Sequence, residues 1–419
     1  MEAGQTLASG ARNDTLNLAE NAQTLRWNWF LSTVMRCLRQ ERPFATAEDY
    51  GWYIEQTRYR GRPYELPLAW FVTNGCFGDR AGSCTMCNFG AGSGIDKSKL
   101  LWQIDRILEK VSGLPMVYIT PLGSMFDDAE VPPDVRQVIF QRLAQKGCRV
   151  YGTESRPETI TDEKMAQFRD AFGPNVILQV GLGIETANPY VQLNCINKGL
   201  AEQDSIRAIQ TLKRYGIVAL VHILLKPLFL TESEAIADAA GTVDWALKHG
   251  ADGIVFCMTN LKPHTLTHWL QQRGGYRVPY VWSGLTVLRN MKPEYRKLCT
   301  LSGLYSGVTI YQTAYNCSQC TNKVIAGMQR FSTRPDPAIL EELDRHECQC
   351  REEWNSVIHT KTEELPERLP VYYERIAREM FGDAWWSEVR DSVLRDLDRS
   401  RILWNPMPSG EASSTETGQ

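Results

Sequence analysis

One pattern repeats between residues 66 and 285: a short apolar run, then a stretch with apolar residues at helical spacing. The runs fall at 68–73, 116–120, 149–153, 176–184, 217–225 and 253–258. Short runs of this kind, mostly apolar and followed by helical stretches, read as strands. Between the first and second, Leu100, Leu101, Ile104, Ile107, Leu108 and Val111 share one helical face. Val135, Val138, Ile139 and Leu143 do the same after the second, Met165 and Phe168 after the third, and Ile206, Ile209 and Leu212 after the fourth. The next helix opens at Thr231 with Glu234 three residues on, a capping-box pattern. Strand–helix alternation of this kind predicts a parallel sheet with helices outside. A closed eight-unit barrel takes about 250 residues. Here six units fit between 68 and 258, so the expected fold is α/β, a partial (β/α)6 TIM-like barrel over 66–285.

The flanks read differently. Leu25, Trp29, Leu31, Val34, Met35 and Leu38 lie near helical spacing, so 15–60 is expected to be helical within an N-terminal segment, 1–65. Residues 286–405 form a C-terminal region with its own cysteines; 286–316 mix short strands with turns, and 366–404 read as helix. The end, 406–419, is rich in Ser, Thr, Gly and Glu and reads as a disordered tail.

Composition narrows the class. The 419 residues are 43% hydrophobic and 23% charged, ordinary for a soluble globular protein. No apolar run is long enough to span a membrane, and the start lacks the layout of a signal peptide, so a cytoplasmic location is expected. In that compartment twelve cysteines point to metal rather than to disulfides. The net charge of −3, from 46 basic and 49 acidic residues, argues mildly against a large RNA gripped by its phosphates.

Chemistry concentrates where strands end. Cys76, Cys84 and Cys87 follow the first strand with spacing Cys-x7-Cys-x2-Cys, and Gly90, Gly92 and Gly94 come next. Spacing alone leaves structural zinc with a fourth ligand elsewhere and an iron–sulfur site both open. Three thiolates would leave one iron of a [4Fe-4S] cluster without a protein ligand. Pro121-Leu-Gly123-Ser124-Met-Phe126-Asp127 follows the second strand, and Glu154-Ser-Arg156-Pro157-Glu158 the third. Gly181-Leu-Gly183-Ile-Glu185-Thr186 ends the fourth; Asn197-Lys198-Gly199 follows; Lys226-Pro227 ends the fifth. In parallel sheets, sites gather at these C-terminal strand ends.

With these motifs the chain resembles the radical S-adenosylmethionine (SAM) superfamily. The usual first cysteine gap there is three residues. The longer gap here is shared by the Elongator catalytic subunit type, whose Glu-Thr-Arg-Pro-Asp run looks like residues 154–158. Over roughly 65–360 the chain is most similar to the radical SAM enzyme of archaeosine formation. The resemblance implies a cluster on the three cysteines and SAM on the open iron, cleaved to a 5′-deoxyadenosyl radical. It implies Gly123 and Ser124 beside the SAM amino group and Arg156 pairing with its carboxylate. Glu154 or Glu185 would hold a ribose hydroxyl or the ammonium. Glu158 and Thr186 read instead as loop ends or caps. Phe77 and Met86 are open between adenine packing and core, and the aromatic Phe89 would shield the cluster. In that family the archaeal member cleaves a lysine-derived adduct on a tRNA deazaguanine, a lyase reaction. The expected substrate is a small molecule, a peptide or a modified nucleoside, with an electron donor such as flavodoxin or ferredoxin. A tRNA-modifying lyase is the alternative; a non-catalytic zinc-stabilised binding protein is the other.

A second cysteine group, Cys317-x2-Cys320 and Cys348-x-Cys350, stands with His346 close by. Structural zinc, an auxiliary iron–sulfur cluster and free or redox-active thiols are all open for it. On the substrate side, Asn260 stands at a strand end, and His264 and His268 are four apart, which predicts a shared helix face. Asn260 and His264 are candidate substrate contacts; Tyr276, Tyr280 and Trp282 are open between site wall and core. Cys37, Cys148, Cys195, Cys257 and Cys299 lack partner spacing and read as small hydrophobes.

Overall fold

Eight strands in sequence order make one sheet in the computed structural model, which describes residues 26–59, 62–111, 113–303 and 310–406. They are β1 (Gly51–Tyr59), β2 (Arg62–Phe71), β3 (Met116–Pro121), β4 (Val150–Ser155), β5 (Ile177–Glu185), β6 (Val218–Leu225), β7 (Gly253–Met258) and β8 (Cys299–Ser302). β1 pairs antiparallel with β2, and every later pair is parallel. Among the described residues, the helices of six residues or more are α1 (Trp29–Arg39), α2 (Lys97–Val111), α3 (Pro133–Gln145), α4 (Asp162–Phe172), α5 (Glu202–Arg214) and α6 (Glu232–Lys248). They continue with α7 (Leu266–Gln271), α8 (Val281–Asn290), α9 (Thr321–Thr333), α10 (Pro337–Asp344), α11 (Gln349–His359), α12 (Leu365–Phe381) and α13 (Asp383–Ser400). None is long and apolar enough to cross a membrane.

The partial TIM-like barrel is the observed architecture, and its sheet is larger than six strands. Residues 51–59 are strand β1, not helix. Their burial does not alternate cleanly, because the one buried side chain on β1 is the polar Glu55. β8 also joins the sheet, pairing Cys299 with Ile254 and Ser302 with Cys257, so the sheet runs past 285. The expected helix over 366–404 is two helices, α12 and α13, separated at Gly382 with φ +88°. The expected helix over 15–25, the turns at 304–309 and the tail from 407 lie outside the described residues.

The outer face of the sheet carries the core. Tyr151 of β4 stacks on Phe172 of α4 at 5.1 Å, and Phe140 of α3 meets Phe168 at 4.7 Å. Each such side chain contributes about 1.5–3 kcal/mol by leaving water. The capping box predicted for α6 is present: Thr231 Oγ1 accepts from Glu234 N–H, and the Glu234 carboxylate accepts from Thr231 N–H.

The inner face is polar. Tyr118, Glu154 and His222 crowd over Gly181, where a Cβ would lie 2.5 Å from Tyr118 Oη and 2.6 Å from His222 Nε2. Between β1 and β8 side chains span the gap. Arg58 Nη2 donates to the Lys297 and Cys299 carbonyls at 2.9 and 3.1 Å, and Ser302 Oγ donates to Glu55 Oε2 at 3.4 Å.

Candidate active site

The three-cysteine loop starts where β2 ends. Its long first gap is filled by a one-turn helix, Phe77–Arg80, capped by Cys76, whose Sγ accepts from Asp79 N–H at 3.3 Å. Cys84 has φ +57°, and its N–H donates to Asn197 O at 3.2 Å. Cys87 Sγ accepts from Phe89 N–H at 3.5 Å. Gly92 lies against the Thr73 carbonyl, leaving no room for a Cβ. That glycine serves the loop's own packing.

α1 clamps this loop. Arg39 Nη2 donates to the carbonyls of Ser83, Cys84 and Cys87 at 2.7, 3.2 and 2.7 Å. Arg42 forms a two-pronged pair with Asp79, both arms at 2.6 Å. Asn28, the cap of α1, is held by Asn197: its N–H donates to Asn197 Oδ1 at 2.8 Å, and Asn197 Nδ2 donates to Ser32 Oγ at 2.9 Å. The Asn-Lys-Gly motif is thus a joint between cysteine loop and clamp.

Gly123 and Ser124 lie beside the loop. A Cβ on Gly123 would lie 3.0 Å from Cys76 Cβ and overlap the Glu130 carboxylate. Glu130 folds back so that its Oε2 accepts from Ser124 N–H at 3.0 Å, while its buried Oε1 has no partner among the described residues. Burial pushes its carboxyl up to about 7. Arg156 donates from Nη2 to Lys198 O at 2.7 Å and pairs through Nε with Glu158 at 2.5 Å. Its backbone N–H donates to Ser124 Oγ at 3.1 Å. Burial works against its charge, but Glu158, Cys84 and Cys76 outweigh that and hold the guanidinium above its ordinary range. Glu158 is therefore an anchor for Arg156.

Three acids deepen the site. Glu185, at φ +70°, pairs with Lys198 Nζ at 2.8 Å. Burial raises its pKa, but Lys198 overrides this and holds the carboxyl below the usual range. Glu154 has no such partner. Its side chain is 35% open to the lumen and stands 4.0 Å from His222 Nε2; burial holds its carboxyl up. Tyr53 Oη donates to Glu55 Oε2 at 3.1 Å, and burial pushes the Glu55 carboxyl up to about 7.

Asn260 accepts at Oδ1 from Lys262 Nζ, 2.6 Å away. Lys262 also lies 4.7 Å from the Phe89 ring centroid, bringing a cation to the cysteine loop. His264 is not on a helix face shared with His268. It precedes α7 at φ +58°, and its Nδ1 sits 3.3 Å from Leu38 O at the end of α1. His268, within α7, packs edge-on against Tyr311 at 5.0 Å.

Met86 packs with Ile196 and Leu224 in a buried cluster that Cys84 and Cys257 flank, whereas Phe77 is 46% exposed against Trp27. Thr186 is structural: its Oγ1 donates to Asp238 Oδ1 at 2.8 Å. Tyr276, Tyr280 and Trp282 are buried. Cys148, Cys195 and Cys299 are buried as small hydrophobes, and Cys257 is partly buried. Cys317, Cys320, Cys348 and Cys350 converge, with all four Sγ atoms within 4.8 Å of one another. Sequence reasoning missed Arg39, Arg42, Glu130, Lys262 and His222. For Lys262 the signal was its place two residues after Asn260; for the others there was none, since each reaches the site from a distant segment or from the sheet's inner face.

Cysteine thiols at the C-terminal end of the first parallel strand suit an iron–sulfur cofactor by donor chemistry. Orphaned Glu130 and half-open Glu154 suit a polar cofactor or substrate beside it.

No protein-family model matches the chain. It is 31% identical over 295 residues to archaeosine synthase subunit beta of Methanosarcina acetivorans, covering 69% of this chain and 83% of that one. It is 30% identical over 316 residues to an uncharacterized protein of Methanocaldococcus jannaschii, covering 72% and 84%. Archaeosine synthase subunit beta of Thermococcus kodakarensis is 27% identical over 320 residues, covering 73% and 96%. Among solved structures, Elp3 of Methanocaldococcus infernus aligns with a TM-score of 0.42 at 16% identity, covering 57% of this chain and 59% of that one.

The class to which sheet, loop and relatives assign the chain is that of the radical SAM enzymes. Within that class, the chain belongs to the archaeosine synthase subunit beta family.

Proposed function

We propose that Cys76, Cys84 and Cys87 bind a [4Fe-4S] cluster, that SAM binds beside it, and that the substrate is a modified nucleoside. When bound on these cysteines, the cluster would supply the electron for reductive cleavage of SAM and so the means of abstracting hydrogen from a substrate. The observation that carries this reading is the clamped cysteine loop beside Arg156 and above a polar lumen.

The chain's own residues divide the remaining work. Arg156, pre-oriented by Glu158 and the Lys198 carbonyl, would meet the SAM carboxylate as a planar fork. Gly123 and Ser124, braced by Glu130, would line the amino group, with Glu154 or Glu185 toward the ribose or ammonium. Lys262 would offset negative charge at Cys87. Asn260, already oriented by Lys262, would face the substrate, and His264 would act through α1.

The relatives named archaeosine synthase support a modified nucleoside, and within that reading a tRNA-modifying lyase. Small-molecule and peptide substrates have no comparable support. Flavodoxin or ferredoxin would supply the electron. The test is anaerobic reconstitution with iron and sulfide, then assay for 5′-deoxyadenosine with a lysine-adducted deazaguanine offered free and within tRNA. Product with either and none without reductant supports the reading. No 5′-deoxyadenosine from a protein carrying about four irons would overturn it.

A further inference from the structure

Cys317, Cys320, Cys348 and Cys350 stand apart from the loop described above, on segments that begin α9 and α11. Sγ atoms of neighbouring pairs are 3.5 Å (317–320), 3.6 Å (317–348), 3.3 Å (320–350) and 3.4 Å (348–350) apart. Such tight grouping is found for these four and not for Cys76, Cys84 and Cys87.

The spacing discriminates between metals. Four thiolates around one zinc at about 2.3 Å lie at tetrahedron corners, with edges of about 3.8 Å. Thiolates on a four-iron cube sit on separate irons, so metal–metal separation adds to the distance between sulfurs. The observed spacing suits one ion and crowds a cube. The sulfurs also have donors from the surrounding protein. Trp282 Nε1 donates to Cys350 Sγ at 3.4 Å, and Asn316 Nδ2 donates to Cys320 Sγ at 3.7 Å. Such contacts orient and tune metal ligands.

A hydrogen-bonded chain runs from α11, the helix that carries Cys350, to the barrel rim. Trp354, on the same helix as Cys350, donates from Nε1 to Ser283 Oγ at 2.8 Å. Ser283 Oγ donates in turn to Glu232 Oε2. Glu232 Oε1 accepts from Lys226 Nζ at 2.6 Å in a buried pair where β6 ends. Lys226 itself has φ +63°, so its position needs support from its neighbours.

We infer that Cys317, Cys320, Cys348 and Cys350 hold one structural zinc ion, and that this ion braces the Lys226–Glu232 pair at the barrel rim through Trp282 and Trp354. The set is closed, with no position for substrate or water. The inference rests on these four thiols alone, so it fails or stands separately from the radical chemistry.

The test uses the full-length chain, purified anaerobically with its iron content measured alongside zinc. About one zinc per chain and a zinc absorption spectrum fitting four sulfurs at about 2.3 Å support the site. In Cys348→Ser/Cys350→Ser zinc should fall at least tenfold while the iron of the first loop stays, and hydrogen exchange around 226–232 and 281–290 should speed up. Cys348→His should retain zinc, because a three-cysteine, one-histidine set is also competent. If the double variant does not fold, the wild-type spectrum still decides between metals. Zinc below about a tenth of an equivalent, or an iron content near eight per chain, overturns the single-ion site. Zinc lost with unchanged exchange around Glu232 overturns the bracing.

Discussion

Asp238 is an acid kept out of water by α6 and the end of β5. Thr186 satisfies its Oδ1, and Oδ2 is buried without a partner among the described residues. Burial pushes its carboxyl from 3.8 up to about 7. The folded state therefore prefers the protonated form. That contribution is complete below the unfolded-state pKa and is lost as pH rises from about 4 through about 7, at most about 4 kcal/mol. Asp238→Asn keeps an acceptor for Thr186 and cannot ionise. Its Tm is expected to fall less than the wild type's between pH 5 and pH 8; parallel curves would show that Asp238 ionises without cost. Arg156 makes the opposite kind of prediction. In Arg156→Lys the fork is lost. SAM binding, read by equilibrium dialysis, is expected to weaken tenfold to a hundredfold, the value of one charged hydrogen bond, with the cluster spectrum kept. Unchanged SAM affinity would remove Arg156 from the pocket.

At the scale of elements, α1 is the clearest case of function supplied from outside the barrel. Arg39 ties three carbonyls of the cysteine loop with one guanidinium nitrogen. Arg39→Ala is expected to leave the barrel folded, since the residue touches the loop and not the core. It should still release iron to a mild chelator several times faster than wild type. Iron retention equal to wild type would show that the loop holds itself. This role had no mark in the chain: an arginine on a helix reads as a solvated charge until the loop, some 45 residues later, folds onto it. By contrast, β3 to β7 were legible because each is a short segment rich in apolar residues between helical stretches, and β7 matched at both ends. β1 was not, because its inward side chains include Glu55 and Tyr53, and a strand facing a polar lumen loses its apolar alternation. β8, four residues with Thr300 and Ser302 among them, was legible only as one of the short strands expected over 286–316, too short and too polar to be assigned to the sheet. The strand-end motifs were legible for a different reason: short segments carry them whole. Glu130 escaped because it returns to Ser124 from the far end of a turn.

For the molecule as a whole, the sheet is closed by side chains where backbone pairing stops. Arg58 reaches two carbonyls at the edge of β8, and Ser302 reaches Glu55. Removing the first contact in Arg58→Ala is expected to lower Tm and to speed hydrogen exchange in 51–59 and 299–302, with little change around β4 and β5. Uniform change across the sheet would mean that the seam is not an independent weak point.

α1 meets α12 and α13 behind the cysteine loop. Phe30 of α1 stacks on Tyr373 of α12 at 4.5 Å, Asn28 Nδ2 donates to Tyr373 Oη at 3.0 Å, and Trp29 Nε1 donates to Asp396 Oδ2 of α13 at 2.8 Å. During synthesis the loop emerges long before those partners exist. A nascent chain stalled before residue 365 would carry all three loop cysteines while α1 lacked its backing. Metal loading is therefore expected to follow the synthesis of α12, and a chain ending before residue 365 is expected to retain less iron on the loop than the full chain; equal retention would show that the backing is not needed.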